Sequence, residues 1–134
     1  MGVDRGTLIF LSSFFCVFCT SFVGAETIRV ASYNVENYLV MDRMVSGRWQ
    51  EEYPKPRKER RIIRSVINQT NPDILAIQEI GERVYLDELW EDLNNTKGTH
   101  FKYAAWLTGQ EEGEQRHLAL LSKIPFSSID APKD

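Results

Sequence analysis

Two short segments place an amide and a carboxylate side chain directly after a run of apolar or β-favouring residues. The run ILAIQ is followed by Glu79, and the run TIRVASY is followed by NVEN, which contributes Asn34 and Glu36. Carboxylate and amide oxygens are the hard ligands that Mg²⁺ prefers in proteins, usually few at a time. If the two segments lie side by side, Asn34, Glu36 and Glu79 form a candidate divalent-metal site. The alternative is that Glu79 is simply the first solvated residue after a strand.

The two runs predict neighbouring strands of one parallel sheet. Residues 74–77 show no polar alternation, which is typical of a strand buried on both faces, and the Asn-Pro-Asp sequence at 71–73 marks its start. One helical pattern separates the two runs, so the simplest topology is a right-handed βαβ unit with parallel strands. The carboxyl ends of parallel strands lie at the same edge of a sheet, where α/β folds place ligand sites. The three candidate ligands should therefore converge at that edge.

The helical pattern covers residues 57–69 and has an apolar face and an arginine-rich face. The two faces contain Ile62, Ile63, Val66 and Ile67 on one side and Arg57, Arg60, Arg61 and Arg64 on the other. The arginines could steer a polyanion or simply form a solvated helix face. If this region contacts a substrate, Lys55, Arg57 and Lys58 are better placed than Arg64, because the ligand edge lies near the start of the helix.

Residues 38–56 show no sustained periodicity and contain one glycine and two prolines, so they predict a long loop leaving from the metal edge. Long loops in compact domains are usually functional or mobile. Trp49 and Tyr53 within this segment could stack on a base or a sugar. Covering the core is the expected role, because aromatic rings in loops are more often buried than bound to a ligand.

The second half of the chain predicts one more helix and a hairpin. The helix spans residues 82–95, and the hairpin strands at 101–107 and 117–122 are joined by an acidic loop at 108–115. The expected order of elements is therefore β-α-β-α-β-β. The helix is expected to bury Val84, Tyr85, Leu89, Trp90 and Leu93 and to expose Glu82, Asp87, Glu88, Glu91 and Asp92 as ordinary solvated surface.

Three blocks of the chain resemble, in order, the first, second and third sequence blocks of the endonuclease/exonuclease/phosphatase superfamily. That superfamily includes deoxyribonuclease I, apurinic endonucleases, sphingomyelinases and inositol polyphosphate phosphatases. The blocks are IRVASYNVEN at 28–37, PDILAIQEI at 72–80 and LALLSKIP at 118–125. Each block alone is weak evidence, whereas three in order at suitable spacing are specific. The resemblance covers nearly all of residues 27–126, about the first half of such a domain.

The resemblance implies an α/β fold that is the first half of a four-layer α/β sandwich. It also implies a metal-dependent phosphoester hydrolase, of nuclease or phosphodiesterase type, with Mg²⁺ or Mn²⁺ as cofactor. In this scheme Glu79 binds the cation and Glu36 assists directly or through water. Asn34 ligates the metal as well, or orients the phosphate or a neighbouring carboxylate. These three residues are the metal ligands that the resemblance implies.

Arg116 is the position where family members commonly place a Tyr or Arg that reaches the scissile phosphate. A guanidinium suits this role because it donates a fork of hydrogen bonds to phosphate oxygens. The resemblance therefore implies that Arg116 and Asn34 contact the substrate and that Asn34, Glu79 and Arg116 take part in catalysis. The alternative for Arg116 is a surface arginine beside an acidic loop. His117 next to it is more often packed or solvated than catalytic.

The blocks that activate water in the family, an Asp-x-Asn block and a terminal Ser-Asp-His block, have no match in the chain. We therefore predict that this polypeptide alone has little or no hydrolase activity and that an extended reading frame would contain both blocks. The substrate stays open among DNA, RNA, phospholipid headgroups and small phosphoesters. Two other classes remain: a secreted non-catalytic α/β binding module or pseudoenzyme, and an unrelated parallel α/β domain whose core strands match by coincidence.

Composition and the N-terminus limit the class further. The 134 residues carry 16 Lys and Arg against 19 Asp and Glu, a formal charge of −3. This length allows one domain at most. The net charge argues against a protein that coats nucleic acid, so a phosphate substrate would have to be held by metal and a local basic patch. Residues 8–23 are hydrophobic and are followed by small residues, so residues 1–25 predict a signal peptide and residues 26–134 the partial domain.

An uncleaved anchor is the alternative for the N-terminus, but the stretch is short for a bilayer span. Both cysteines lie within residues 1–25, so the mature chain would form no disulfide. We expect a secreted or periplasmic protein with no stable membrane association after signal cleavage. Its expected partner is a phosphoester substrate such as nucleic acid, and its oligomeric state is left open.

Overall fold

The strands and helices of the chain are defined by a computed structural model that describes residues 26–107 and 113–128. In chain order they are β1 (Val30–Tyr38), β2 (Met41–Val45), β3 (Arg48–Tyr53), α1 (Arg57–Thr70), β4 (Ile74–Ile80), α2 (Arg83–Asn94), β5 (Tyr103–Leu107) and β6 (His117–Ser122). The predicted signal peptide and residues 108–112 of the predicted acidic loop lie outside the described residues. In the described part of the chain, no helix has the length and apolarity needed to cross a bilayer.

Four strands form one mixed sheet in the order β1-β4-β6-β5. Strands β1 and β4 are parallel, with Ala31 opposite Leu75 and Asn34 opposite Gln78, whereas β6 is antiparallel to both β4 and β5. The predicted parallel pairing of the two apolar runs is confirmed, and so is the antiparallel pairing of β5 with β6. The chain therefore forms an α/β domain, with a four-stranded mixed sheet, a separate two-stranded sheet and two helices among its described residues.

Helix α1, which connects the two parallel strands, has clear sequence signals at both ends. Pro56 precedes its first residue, where a missing backbone N–H costs little. Asn71 ends the helix in the left-handed conformation, with φ of 45° and its backbone N donating to the Ile67 carbonyl at 2.9 Å. Pro72 then prevents continuation. The predicted span of 57–69 is confirmed to within one residue.

Both helices pack on one face of the four-stranded sheet. The main buried cluster is built from that face and from one stripe of each helix: Leu75, Ile77, Ala119, Leu121, Ile63, Ile67, Leu86, Leu89 and Leu93. The predicted stripes are wider than the observed ones, since Ile62 is 51% exposed and Val66 and Val84 are exposed as well. Leu86, which is not part of the predicted stripe, is fully buried. A helix lying on a sheet buries only the residues that face it, so flanking apolar positions remain in solvent.

Ion pairs connect the two helices along their contact. Arg60 pairs with Glu88, and Arg64 pairs with Asp92. The Tyr38 hydroxyl also donates to Glu88, at 3.1 Å. Burial raises the pKa of Tyr38, and the charge of Glu88 raises it further, so this hydroxyl stays a neutral donor. The expectation that these charged residues are ordinary solvated surface is wrong for these two ion pairs, because α1 and α2 lie side by side.

The opposite face of the sheet carries apolar side chains that neither helix covers. Strand register and alternation place on this face Val30, Ile74, Ala76, Leu118, Leu120, Tyr103, Ala105 and Leu107. Leu118 is 53% exposed, and Val30 and Tyr103 are also exposed. The same register places Ser32, Gln78 and Ser122 on this face, so it is mixed, with more apolar positions than a sheet face that meets water normally carries. We refer to this set of residues as the uncovered face.

The prediction of a long loop over residues 38–56 is wrong, because most of this segment forms the antiparallel hairpin β2–β3. Ser46 and Gly47 at its turn both have positive φ, 51° and 78°, the backbone sign required by a type I′ turn. Arg43 fixes the hairpin to the end of β1 by donating to the Leu39 carbonyl at 2.7 Å. Within the described residues, the hairpin strands pair only with each other.

The aromatic residues of this hairpin do not cover the core. Trp49 is 60% exposed and lies opposite Met44, which is also exposed, and Tyr53 is exposed too. The expectation that Trp49 and Tyr53 bury their rings is therefore wrong. The hairpin is a two-stranded sheet separate from the four-stranded one, and these side chains on it remain exposed to solvent.

Candidate metal centre

Asn34 and Glu79 meet at the edge formed by the carboxyl ends of β1 and β4. The Asn34 amide nitrogen donates to Glu79 Oε1 at 2.8 Å. The backbone nitrogen of Asn37 donates to Glu79 Oε2 at 3.2 Å, so each carboxylate oxygen has one fixed donor. Of the three side chains predicted to converge, Asn34 and Glu79 are in contact, whereas for Glu36 only the main chain contacts this pair among the described residues. Each carboxylate oxygen has one donor among the described residues and can accept a second hydrogen bond.

The backbone is strongly bent on both strands at this point. Glu36, Asn37 and Glu79 all have positive φ, of 50°, 57° and 59°, a conformation that residues other than glycine rarely adopt. The pairing of β1 with β4 shifts register between Asn34 and Tyr38. Such outliers persist only where the surrounding structure enforces them, and they cluster at binding and catalytic sites. The bend turns Glu79 out of the regular alternation of β4 and toward Asn34.

Asn34 uses both ends of its amide inside the protein. Its Oδ1 accepts a hydrogen bond from the backbone nitrogen of Glu36 at 2.7 Å, while its nitrogen holds Glu79. This arrangement fixes which end of the amide is oxygen, because only oxygen can accept from the Glu36 N–H. Of the two kinds of role that the sequence suggested for Asn34, the geometry favours orienting the carboxylate over ligating a metal directly.

Glu36 is exposed at the same corner, and its main chain is held by a buried lysine. Lys55 is only 4% exposed; its Nζ donates to the Glu36 carbonyl at 2.7 Å and pairs with Glu59 at 3.0 Å. Lys55 is one of the three residues that the sequence places better than Arg64 for a substrate contact, but its ammonium is engaged inside the fold. Lys55 instead supports the left-handed backbone of Glu36, a role that no local sequence pattern indicates.

The donor set suits a magnesium-type ion only in part. Glu79 offers a preorganised carboxylate and Glu36 an exposed one, and Mg²⁺ commonly binds one or two carboxylates while keeping several waters. Among the residues that the structure describes, no three His, Cys, Asp or Glu side chains form a cluster able to hold a metal. A cation here would therefore take most of its ligands from water and from substrate oxygens.

Arg116 lies within electrostatic reach of Glu79 but is engaged by a nearer acid. Its Nε donates to Glu114 Oε1 at 2.8 Å, and a terminal nitrogen lies 3.4 Å from Glu114 Oε2. The hydrogen bond and charge of Glu114 raise the pKa of Arg116, and the charge of Glu79 adds to this effect. To bind a phosphate, the guanidinium would have to give up some or all of its hydrogen bonds to Glu114.

Two depressions lie near the carboxyl end of β1. One, of about 280 Å³, has Asn34, Glu36 and Lys55 among its lining residues. The other, of about 390 Å³, lies between the end of β1 and Arg116 and is lined in part by Asn37. The second lies between Asn37 and the Arg116 guanidinium, and Glu114 also lines it, so an anionic group bound there would meet a carboxylate as well as the guanidinium.

His117, beside Arg116, is part of the packed interior. It is buried, and its ring lies 4.6 Å from the Trp106 ring between centroids. Trp106 in turn donates from its indole nitrogen to the Gly81 carbonyl at 3.0 Å, two residues after Glu79. His117 therefore has the packing role that the sequence analysis preferred, in the layer beneath the edge that carries Glu79.

Replacing Lys55 by Met is expected to weaken Mn²⁺ binding by about tenfold, the usual effect of losing a residue that orients a metal ligand. Methionine keeps most of the buried stem but removes the donor to the Glu36 carbonyl, so the strained corner can relax. Isothermal titration of the variant with Mn²⁺ measures the change. Lys58→Met, on the exposed side of the first turn of α1, is the matched control and should bind as the wild type does. Equal affinity in both variants would contradict the role assigned to Lys55.

Comparisons with known proteins add no assignment to this geometry. The chain matches no protein-family model, no curated protein and no solved structure.

Proposed function

We propose that the chain is the metal-binding first half of a Mg²⁺- or Mn²⁺-dependent phosphoester hydrolase of the endonuclease/exonuclease/phosphatase superfamily. The observation that carries the proposal is the 2.8 Å hydrogen bond from Asn34 to Glu79 at the carboxyl edge of two parallel strands. These two residues come from the first and second blocks of the sequence resemblance. If the resemblance is correct, these two residues must be in contact although they lie 45 residues apart in the chain, and they are.

Each residue of the site has one proposed role. Glu79 binds the cation, Asn34 and the Asn37 backbone nitrogen hold its carboxylate in one orientation, and Glu36 adds a direct or water-mediated contact. Arg116 exchanges part of its contact with Glu114 for the phosphate oxygens. The cation, when bound, would neutralise negative charge on the phosphoryl group as the leaving oxygen departs.

The uncovered face supports the four-layer arrangement that the resemblance implies. In such a sandwich this face packs against a second sheet, and the helices form an outer layer. Apolar side chains such as Leu118 and Val30, exposed here, would then be buried. The groups that activate water would come with the second half, so the present polypeptide alone is proposed to bind metal with little or no turnover. We further propose export by the predicted signal peptide, to a secreted or periplasmic location.

Titration of the chain with Mn²⁺ tests the proposal. We expect measurable binding by the wild type and at least about a tenfold loss in Glu79→Gln, because the variant keeps the shape but not the charge of the ligand. Glu82→Gln is the matched control, since Glu82 is exposed three residues later and should leave binding unchanged. Absence of Mn²⁺ binding, or equal binding by both variants, would exclude the metal centre.

A hydrolysis assay with bis-p-nitrophenyl phosphate and Mn²⁺ separates this proposal from its alternative. The alternative is a secreted binding module or pseudoenzyme, and the existing Arg116–Glu114 contact is the observation that favours it. Turnover that depends on Glu79 in a chain extended by the missing blocks would support the hydrolase. No turnover in such an extended chain would favour the binding module. Rapid turnover by the present chain alone would contradict the proposed need for a second half.

A further inference from the structure

A groove between the two helices carries a concentration of arginine side chains separate from the metal centre. It measures about 470 Å³ and is lined by Arg57, Arg60, Arg61 and Arg64 of α1 and by Glu88 and Asp92 of α2. We call these four arginines and their groove the arginine groove. It lies on the solvent side of the helices, because the sheet-facing residues of α1 are Ile63 and Ile67.

The acids of α2 neutralise only half of these arginines. Arg60 and Arg64 are paired with Glu88 and Asp92. Arg57 and Arg61 are exposed, and neither makes an ion pair or side-chain hydrogen bond with any residue that the structure describes. They are four residues apart and therefore neighbours on the helix surface, where like charges repel. The groove thus keeps two solvated guanidiniums side by side with no acidic partner among the described residues, an arrangement that an anionic ligand would stabilise.

The groove is positively charged, whereas the chain as a whole has a negative net charge. Five of its 16 Lys and Arg residues fall within positions 57–64, which contain one acid, Glu59, although the formal net charge is −3. A confined basic patch on an acidic protein attracts anions at one place rather than generally. Guanidinium groups present planar, paired donors that match phosphate oxygens better than lysine does.

We propose that the arginine groove binds the phosphodiester backbone of a single-stranded nucleic acid. Arginines repeated from one helical turn to the next suit a polymer that carries a phosphate on every unit better than they suit one small anion. Helix α1 begins two residues after Lys55, which contacts Glu36, so the groove starts beside the metal edge and runs away from it. A strand with one phosphate at the metal centre would continue into the groove. The choice of ligand rests on the proposed phosphoester chemistry, and it narrows the substrate class to nucleic acid.

Binding is tested by fluorescence anisotropy with a fluorescein-labelled single-stranded oligodeoxythymidylate, in EDTA so that no divalent metal contributes. Arg57→Gln/Arg61→Gln is expected to weaken binding by about tenfold and to lower the slope of log K against log salt by about 1.4, the loss of two phosphate contacts. Arg48→Gln/Lys97→Gln removes the same charge from other exposed positions and should change the affinity less than about twofold. Both variants alter exposed side chains, so folding should be preserved.

Two further measurements separate this inference from the metal centre. Glu79→Gln should bind the oligonucleotide in EDTA as the wild type does, even though its Mn²⁺ binding is lost. Equal weakening by the two double variants would overturn the inference, since any loss of positive charge would then suffice. Binding to vesicles containing phosphatidylserine without binding to the oligonucleotide would overturn it in favour of a membrane surface. If the chain binds the oligonucleotide but not Mn²⁺, the proposed metal centre is contradicted while nucleic-acid binding at the arginine groove is still supported.

Discussion

Replacing Asn34 by Asp is expected to destabilise the metal-free protein near neutral pH and to make its melting temperature rise with added Mn²⁺. In the wild type an N–H donor faces Glu79 Oε1 at 2.8 Å. The substitution puts a second carboxylate oxygen at this position, so two negative charges repel each other. Because Asn34 is exposed and water screens the pair, we expect a loss of about 1–3 kcal/mol in the free energy of unfolding. A divalent cation between the two carboxylates would reverse the loss.

The pH dependence of this variant has a definite sign. Two adjacent carboxylates share a proton more tightly in the folded chain than they would in the unfolded chain. The stability gained from this shared proton is fully present below about pH 4, the ordinary carboxyl pKa range. It is lost as the pH rises and both carboxyl groups ionise. The penalty should therefore be small in acid and largest near neutral pH. Thermal melts across this range, with and without Mn²⁺, measure it.

Asn34→Ala is the control for the Asn34→Asp experiment. It removes the hydrogen bond to Glu79 without adding a charge, so it should lose stability to a similar extent in acid and at neutral pH. Its melting temperature should not gain from Mn²⁺ more than that of the wild type. An Asn34→Asp variant that melts as the wild type does, and ignores Mn²⁺, would mean that the two side chains do not meet as described.

Leu121→Ala and Leu118→Ala are expected to differ widely in stability, although both lie on β6. Leu121 is 0% exposed and packs in the cluster beneath the helices, so its truncation should cost about 2–5 kcal/mol in the free energy of unfolding. Leu118 is 53% exposed on the uncovered face, and its truncation should cost less than about 0.5 kcal/mol. Urea unfolding of the two variants measures the difference directly.

The same pair of variants tests the proposed second sheet. In a chain extended through the missing family blocks, Leu118 would be buried, so Leu118→Ala should then cost about as much as a core substitution. An unchanged, small effect in the extended chain would contradict the sandwich arrangement. A large effect in the present chain would mean that something already covers this face of the sheet.

The elements with strong hydrophobic patterns could be predicted from the sequence. The predicted helix at 57–69 matches α1 (Arg57–Thr70), and the predicted strand at 117–122 coincides with β6. In both cases the periodicity and the flanking residues agree, as with the proline on each side of α1. The parallel pairing of β1 with β4 followed from the single helix between them, because a crossover of this kind has few alternatives.

The hairpin β2–β3 could not be recognised from its apolar residues, because it has little buried surface to impose a pattern. Its exposed side chains include Trp49 and Met44, the large apolar residues that normally mark a strand's inner face. The Ser-Gly pair at its turn was a usable signal, since Ser46 and Gly47 take the positive φ values of a tight turn. The buried stripes of the helices were predicted too wide for a related reason. Ile62, for example, is apolar but is exposed and does not face the sheet.

The two side chains at the centre of the candidate site could be predicted from the sequence. The groups that hold them in place could not. Asn34 and Glu79 were expected to meet because both follow parallel strands. The contributions of Asn37 and Lys55 depend on a left-handed backbone at Glu36 and Asn37, which no local residue preference demands. The contact of Arg116 with Glu114 depends on how the chain enters β6, and the sequence gives no periodicity there.

The position of β1 at the sheet border gives the two halves of the site different rates of local opening. In the described part of the chain β1 pairs only with β4, whereas β4 is held on both sides, by β1 and β6. Outer strands fray at lower free energy than central ones, so amide hydrogens of β1 exchange with solvent more readily than those of β4. Glu79 thus lies on a central strand, while Asn34 and Glu36 lie on one of the two outer strands. An ion or partner that bridges them would oppose local opening of the sheet at β1.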